Sequence, residues 1–230
     1  MKQSKSLTAI AAVLVLSSFA NASEPVSPVV KFVARVKQTE HLKQAELAKA
    51  NNLKRKTESF KVNASESKLT WLAKKVAGEH SGTINVSTGS LNVENNVLKG
   101  GSFDLDTKTI TVTDITDKEG NAKLLGHLKS EDFFAVDKFG AAKFVITSAT
   151  NKGAGLYNIK GNLTIKGITN EVSFPATVAI DKTKLTASAK IIVDRTKYDI
   201  KYRSKSFFEN LGDKTIYDDF ELNIQLIANK

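Results

Sequence analysis

The sequence predicts an all-β domain that follows a helical arm: an antiparallel sheet, curled into a barrel or folded into a sandwich, with one dry face. All 13 glycines fall between Gly78 and Gly212. The runs between them alternate apolar and polar residues, which is typical of half-buried strands. Only one interior segment, 121–130, has the composition of a short helix. Since strands and helices do not alternate, the doubly wound nucleotide-binding folds are disfavoured.

Residues 1–22 have the features of a secretory signal peptide. Lys2 and Lys5 form a positive start, residues 7–19 are largely apolar, and residues 20–22 form a small-x-small cleavage pattern. We expect cleavage between Ala22 and Ser23, followed by export. The apolar run is shorter than the roughly 20 residues of a spanning helix. We expect neither a membrane span nor a bacterial lipid anchor, the latter because the chain has no cysteine.

Residues 23–57 are interpreted as a basic helical arm or linker ahead of a barrel domain at 58–230. The stretch 29–56 lacks Gly and Pro and is rich in helix formers. Its apolar positions, such as Val29, Val33 and Val36, follow a period of 3.6 only loosely. Three hypotheses stay open: the helix packs on the domain, projects into solvent, or pairs with a partner helix.

The formal net charge of +10 is concentrated in this arm. Residues 23–65 carry nine Lys and Arg against four Glu, whereas residues 66–230 carry 23 basic against 20 acidic residues. The domain lacks a basic stripe interleaved with aromatics, so we expect no nucleic-acid partner. The helix over 29–56 is instead the candidate for contact with an anionic membrane surface.

Strand candidates follow one another along the domain. Three of them show the alternation over long runs, at 157–166, 185–193 and 216–226. The other candidates are 58–63, 68–76, 82–87, 90–106 with a break near Asn95-Asn96, 108–115, 143–149 and 171–180.

Residues that could carry catalysis or bind a metal are sparse. The absence of cysteine excludes disulfides, thiol chemistry, Cys-ligated zinc and a cysteine nucleophile. His41, His80 and His127 lack metal-binding spacing, and a catalytic interpretation would require His127 to converge with Asp132 or Glu131. The acidic stretch 114–120 fails the calcium-loop pattern and is interpreted as a hairpin loop. We therefore expect a non-enzymatic protein without cofactor or metal.

Large apolar side chains indicate where a ligand cavity could lie. The aromatic-rich segment 127–144 follows the short helix and is expected to tuck across a barrel opening, as a plug or as a ligand lining. Gly101, Gly161, Ala187 and Ala189 are small inward residues that would leave volume. The candidate cavity residues are Trp71, Phe103, Leu128, Phe133, Phe134, Phe139, Phe144, Ala187, Ala189 and Phe220.

Three motifs carry a resemblance to a known family: HLKSEDFFAVDKFGAAKF (127–144), GNLTIKGITNEVSFP (161–175) and DRTKYDIKY (194–202). Together they resemble the YceI-like family of exported, lipocalin-like, polyisoprenoid-binding proteins. The likeness covers about 59–226. Gly140 and Glu171 stand where the family usually has Pro, and Asp199 stands where it usually has Gly, so local turns are in doubt.

The resemblance implies a lipocalin-like antiparallel barrel of about eight strands in the periplasm. Its elongated apolar cavity would take the tail of an isoprenoid, quinone-like or other long-chain lipid. Arg195, Lys197 and Tyr198 are candidates for contacts to a polar head group, because guanidinium binds such oxygens bidentately. The alternative for Arg195 is a pairing with Asp194 or Asp132.

Two function hypotheses follow. The first is a non-catalytic exported lipid-binding protein. The second is a structural or stress-protective periplasmic protein with a filled barrel, whose basic helix docks on a membrane or a partner; a homodimer is also possible. An apolar void of several hundred Å³ would favour the first hypothesis, and a packed interior the second.

Overall fold

The computed structural model describes residues 28–54 and 57–230. The predicted signal peptide, 1–22, lies outside the described residues. The helices and strands are α1 (Pro28–Lys54), β1 (Thr57–Val62), β2 (Lys68–Lys75), β3 (Gly78–Glu94), β4 (Val97–Asp106), α2 (Lys118–Lys129), β5 (Ala141–Gly153), β6 (Leu156–Ile165), β7 (Ile168–Ile180), β8 (Lys184–Asp194) and β9 (Ile216–Asn229).

The strands close into an antiparallel barrel with eight positions. From β2 the order runs through β9, β8, β7, β6, β5 and β4, and β4 pairs with β3, which pairs with β2. Strands β1 and β2 share one position between β3 and β9: β1 pairs with the second half of β3, and β2 with the first half. The predicted antiparallel barrel of about eight strands is therefore confirmed.

Alternating side chains fill the barrel, as the sequence pattern predicts. In β6, Tyr157, Ile159, Leu163 and Ile165 are buried, while most of the residues between them are exposed. Two-residue turns join β3 to β4 and β6 to β7. Both turns have positive φ at each central residue, which is the type I′ geometry that matches strand twist. The break near Asn95-Asn96 (φ 51° and 62°) is the first of them.

The segment 107–114 is not a strand, contrary to the prediction for 108–115. It begins with a turn of 3₁₀ helix, Thr107–Thr109, and then runs along the first half of β3. Side-chain oxygens replace backbone carbonyls as acceptors for three β3 amides, so no regular ladder forms. The three bonds are Asn85 N to Thr109 Oγ1 at 3.0 Å, Thr83 N to Thr111 Oγ1 at 3.1 Å and Ser81 N to Asp114 Oδ1 at 2.9 Å.

The acidic stretch 114–120 contains the N-terminus of α2 and is not a hairpin loop, so the hairpin-loop interpretation of this stretch is wrong. Asp117 is the N-cap, and its Oδ2 accepts a hydrogen bond from Gly120 N at 2.7 Å. Partial burial raises the pKa of the Asp114 carboxyl, but hydrogen bonds from the Ser81 amide and the His80 ring outweigh it, so this pKa lies below its ordinary value.

In one part of the barrel wall, few backbone hydrogen bonds join the neighbouring strands. Strands β7 and β8 pair only between 176–180 and 185–189, whereas β8 continues to pair with β9 as far as Asp194. After β8 the chain forms a 3₁₀ helix, Arg195–Tyr198, and returns toward the first half of β7. There Asn170 Nδ2 donates to the Lys197 carbonyl at 2.9 Å. We call this stretch between β7 and β8 the seam.

Helix α1 is a unit by itself. Its large apolar residues Val33, Val36, Leu42 and Leu47 are exposed, in keeping with the loose helical period in the sequence. Within the described ranges, no helix combines the length and apolarity needed to cross a membrane.

Candidate ligand-binding cavity

An apolar cavity of about 90 Å³ lies at the end of the barrel where β2, β4, β6 and β8 end. Arg195 is the only charged residue among those that line it. The lining residues are Trp71, Ala73, Ile84, Leu105, Thr107, Ile110, Leu128, Phe133, Phe134, Ala142, Leu163, Ile165, Arg195, Ile200, Ile216, Tyr217, Phe220 and Leu222. Five of the predicted cavity residues, Trp71, Leu128, Phe133, Phe134 and Phe220, therefore meet at one site.

A layer of phenylalanines separates this cavity from a smaller one. The ring centroids of Phe103 and Phe144 are 5.4 Å apart, and those of Phe144 and Phe174 are 5.6 Å apart. All three rings line a second cavity of about 40 Å³ further along the barrel, together with Ala187 and Ala189. The two cavities share no lining residue, so the predicted residues divide between two compartments.

The chain that follows α2 covers the end of the larger cavity. Backbone bonds fold it tightly: Phe134 N donates to the Leu128 carbonyl at 3.1 Å and Ala135 N to the Ser130 carbonyl at 2.8 Å. This turn directs Phe133 and Phe134 toward the cavity, so the segment both covers the barrel end and lines the space beneath it. Phe139 lines neither cavity; its ring packs beside Gly167 in the turn between β6 and β7.

Trp71 is fixed to the wall rather than free in the cavity. Its Nε1 donates to the Thr111 carbonyl at 3.1 Å. A Cβ at the facing residue, Gly82, would lie 2.7 Å from the indole and 1.8 Å from the Thr111 oxygen. Glycine at position 82 is therefore needed for the indole and the 107–114 segment to approach β3.

Gly101 and Gly161 do not leave empty volume inside the barrel, so the expectation for these two small residues is wrong. A Cβ at Gly161 would lie 2.4 Å from the Phe144 ring, and one at Gly101 would lie 2.8 Å from a methyl group of Leu91. Neighbouring side chains fill both positions. Only Ala187 and Ala189 border a void.

Arg195 is buried, with 4% of its surface exposed. Nε donates to the Tyr217 carbonyl at 3.0 Å, Nη1 to the Ile200 carbonyl at 2.8 Å and Nη2 to the Ile216 carbonyl at 3.0 Å. Its carboxylate partner is Asp218, at 3.5 Å, rather than the expected Asp194 or Asp132. Burial lowers the pKa of the guanidinium, and the charges of Asp218 and Asp194 oppose this.

The other two head-group candidates, Lys197 and Tyr198, do not line the cavity. Lys197 is exposed, and Tyr198 is buried. Burial and then the charge of Asp194 raise the pKa of Tyr198 to about 12. The amide of Asn170 acts in the opposite direction, although the Tyr198 hydroxyl has no hydrogen-bond partner within the described chain. Asp199 adopts φ 57° where the family usually has Gly, a conformation that Asp tolerates.

Two histidine–aspartate pairs lie near the covered end. His127 Nε2 is 3.0 Å from Asp132 Oδ2, and its ring packs edge-on against Phe133 and Tyr202, with centroids 4.9 and 4.6 Å apart. His80 Nδ1 is 2.8 Å from Asp114 Oδ2. Neither histidine lines the cavity. In the described ranges, no three or more His, Asp or Glu residues gather as a metal site would require.

The two interior cavities are smaller than the expected several hundred Å³. A space of about 510 Å³ lies instead along β2, β7, β8 and β9, where Ala189 meets mostly exposed outward residues such as Lys68, Ser188 and Gln225, so it is a groove on the outside of the barrel. A cavity of about 90 Å³ is larger than one water requires but smaller than a typical small-molecule pocket of roughly 300–1,000 Å³. Its aromatic lining is nevertheless incompletely packed, because Trp71, Phe134 and Phe220 are only partly buried. The sequence reasoning missed Ile110, which the 107–114 segment brings into the lining, and Ala73 on β2.

Residues 60–228 match the family model described as the YceI-like domain. A UPF0312 protein of Shewanella sp. (strain W3-18-1) is 36% identical over 70 residues, which are 30% of this chain and 37% of that protein. A UPF0312 protein of Shewanella denitrificans is 48% identical over 50 residues, 22% of this chain and 26% of that protein. The chain thus spans well under half the length of the curated relatives it matches.

Two solved structures share the fold. BcnA of Burkholderia cenocepacia superposes with a TM-score of 0.58 at 20% identity, covering 73% of this chain and 99% of that one. A polyisoprenoid binding domain from Saccharophagus degradans superposes with a TM-score of 0.55 at 11% identity, covering 74% of this chain and 97% of that one. At these identities the likeness shows the fold alone.

Proposed function

This chain belongs to the YceI-like domain family, and on that premise we propose that it is an exported, non-catalytic lipid-binding protein. Its ligand is the tail of a polyisoprenoid, quinone-like or other long-chain lipid. The predicted signal peptide at 1–22 directs it to the periplasm. The observation that carries this proposal is the apolar cavity at the barrel end, where the aromatic lining residues Trp71, Phe134 and Phe220 are only partly buried.

A lipid tail would complete the packing of these aromatic side chains. Each CH₂ group removed from water contributes roughly 0.8 kcal/mol. The cavity of about 90 Å³ is too small for a long tail as it stands. Entry therefore requires Phe134 and Phe220 to change rotamers, at a cost of about 0.5–1.5 kcal/mol for each strained side chain. A few buried CH₂ groups offset that cost.

The polar head of the lipid stays outside the cavity. Arg195 is the charged residue of the lining, and its guanidinium already donates to three backbone carbonyls. The cavity thus selects for apolar length rather than for a particular head group.

Filling the cavity with a larger side chain tests the proposal. Ala73→Phe adds a ring to the lining, whereas Ala179→Phe adds the same ring to an exposed outward position on β7. Native mass spectrometry of protein purified from its own periplasm should show bound lipid in the wild type and in Ala179→Phe, and a several-fold loss in Ala73→Phe. A wild-type protein that is repeatedly empty would contradict lipid binding.

The small cavity volumes favour one other function, that of a structural or stress-protective interaction protein with a filled barrel. In that case the basic helix over 29–56 docks on an anionic membrane or on another exported protein. Deleting 29–56 separates the two functions. Loss of membrane or partner association with unchanged lipid content supports docking by the helix; loss of lipid assigns the helix to lipid binding.

A further inference from the structure

Three phenylalanine rings cross the barrel interior between its two cavities, and we call them the phenylalanine layer. Phe103 lies on β4, Phe144 on β5 and Phe174 on β7. Between β5 and β7, strand β6 contributes Gly161, where a Cβ would lie 2.4 Å from the Phe144 ring. Because glycine leaves this room for the ring, the layer reaches without interruption across four adjacent strands.

The boundary between the two cavities falls at the edge of this layer. Leu105 and Ala142, which pair across β4 and β5, line the larger cavity. Phe103 and Phe144, the next inward pair on the same two strands, line the smaller one. Two residues separate the pairs, about 7 Å along a strand. On this side of the barrel, the larger cavity therefore ends where the rings begin.

The opposite wall is filled at the same level. On β9, Leu222 lines the larger cavity and Ile224, two residues further on, lines the smaller. Their cross-strand partners, Ile191 on β8 and Leu69 on β2, are 5% and 2% exposed and line neither cavity. Buried side chains thus separate the two cavities on both sides of the barrel.

The layer is packed more tightly than the aromatic side chains at the covered end. Its three rings are buried, and Phe144 is only 3% exposed. By contrast, Phe134 and Phe220 of the larger cavity are only partly buried. A lipid tail that enters at the covered end displaces these two rings first. To go deeper it would have to separate three rings that contact one another and lose their packing.

The depth of the larger cavity limits the tail that it can hold. Its lining extends along β9 from Ile216 to Leu222, which is roughly 20 Å of strand. With the strand tilt usual in barrels, this corresponds to about 15 Å along the barrel axis. That depth is about half the thickness of the hydrocarbon core of a bilayer.

We infer that the phenylalanine layer is the floor of the lipid-binding site and that Phe144 determines how much of a tail the barrel buries. Because a tail must first enter the larger cavity, this inference rests on the proposed function. The ligand class is a lipid with a single tail of medium length, which is buried completely. The additional carbons of a longer tail stay outside and add nothing to binding.

Binding of straight-chain primary alcohols, from hexanol to dodecanol, tests the inference through the fluorescence of Trp71, which lines the larger cavity. While the alcohol still fits within that cavity, each added CH₂ should lower Kd about fourfold, the equivalent of roughly 0.8 kcal/mol. Once the alcohol reaches the layer, further CH₂ groups should leave Kd nearly unchanged. A fourfold gain at every step of the series would overturn the inference but support lipid binding. If no alcohol binds, the proposed function fails and the inference fails with it.

Phe144→Ala should move this limit to longer alcohols, because it opens the layer toward the smaller cavity. Dodecanol should bind at least about tenfold more tightly than it binds to the wild type, whereas hexanol should bind equally. The control Phe60→Ala removes the same ring at a residue that is 0% exposed and lines neither cavity, so it should keep the wild-type limit. Phe144→Val keeps a β-branched residue on β5 and gives the same test with a smaller gain if the alanine variant does not fold. A wild-type limit in a folded Phe144 variant would refute the role of this ring.

Combining Phe144→Ala with Ala187→Leu shows where the added carbons lie. Ala187 lines the smaller cavity, and a leucine at this position would occupy its volume of about 40 Å³. The second change should cancel the gain in dodecanol binding that Phe144→Ala produces. If the gain persists, the added carbons do not lie in the smaller cavity, and the layer is not the floor that separates the two.

Discussion

Replacing Arg195 by methionine removes the guanidinium while keeping a long side chain in place. That guanidinium joins three backbone carbonyls from two parts of the chain, those of Ile200 and of the adjacent residues Ile216 and Tyr217. The variant leaves these carbonyls without their donors and Asp218 without its buried partner. The edge of the cavity therefore loses the cross-link between the segment after β8 and the start of β9.

The magnitude follows from these contacts. Hydrogen bonds that involve a charged group contribute about 1.5–3 kcal/mol each, and three at one group do not add fully. Removing one partner of a buried ion pair costs about 3–5 kcal/mol. We expect Arg195→Met to lower the free energy of unfolding by about 3–5 kcal/mol. Lys197→Met, an exposed neighbour, should change it by at most about 0.5 kcal/mol.

Urea unfolding followed by fluorescence of Trp71 measures the effect, because this is the only tryptophan of the chain. Lipid content of the folded fraction is measured in parallel and should be unchanged. The reasoning fails if Arg195→Met unfolds at nearly the wild-type urea concentration and loses its lipid. That result would assign the guanidinium to head-group binding, the role that the sequence first indicated.

Two further predictions concern the packing of the barrel. Gly161→Ala should lower the free energy of unfolding by about 1–3 kcal/mol, because its methyl group would overlap the Phe144 ring; Gly126→Ala, which has open space in α2, should instead raise it by about 0.5–1 kcal/mol in the same urea assay. Because burial raises the pKa of Tyr198 from 10.0 to about 12, the folded state should lose stability as the pH rises through that interval, and Tyr198→Phe should abolish this loss without destabilising the protein at neutral pH. Unchanged alkaline unfolding in the variant would contradict the second prediction.

The fold was largely predictable because its strongest signals are local. Period-two alternation reports which side chains face a dry interior, and it located the strands that contain Tyr157 and Leu226. The 107–114 segment has the same alternation, yet side chains of Thr109 and Thr111 take the acceptor roles of a ladder. Whether a threonine hydroxyl or a backbone carbonyl accepts the hydrogen bond from a β3 amide depends on the exact position of the backbone. The pattern of apolar and polar residues does not predict that position.

The site was predictable in outline only. Large aromatics after the short helix indicated the covered barrel end, since such side chains need an apolar environment. The volume around Gly161 depends on the rotamer of Phe144, which lies on the neighbouring strand. Arg195 finds one acceptor five residues along the chain, at Ile200, and two more 21 and 22 residues along, at Ile216 and Tyr217. All three are backbone carbonyls, which every residue possesses. Neither the Gly161–Phe144 contact nor the Arg195 hydrogen bonds can therefore be predicted from a sequence pattern.

At the seam between β7 and β8, we expect the two neighbouring strands to separate more easily than elsewhere in the barrel wall. Beyond 176 and 189 no backbone ladder joins the two strands. Apolar side-chain packing holds this part of the wall together, with bonds from Asn170 Nδ2 to the Lys197 carbonyl and from Lys166 Nζ to the Asp199 carbonyl. Apolar contacts re-form after sliding, whereas a broken ladder exposes amides and carbonyls. If a ligand enters, we expect the barrel to widen by separation of these two strands while the other strand pairs keep their register. The volume available to a ligand would then depend on the barrel wall more than on the voids within it.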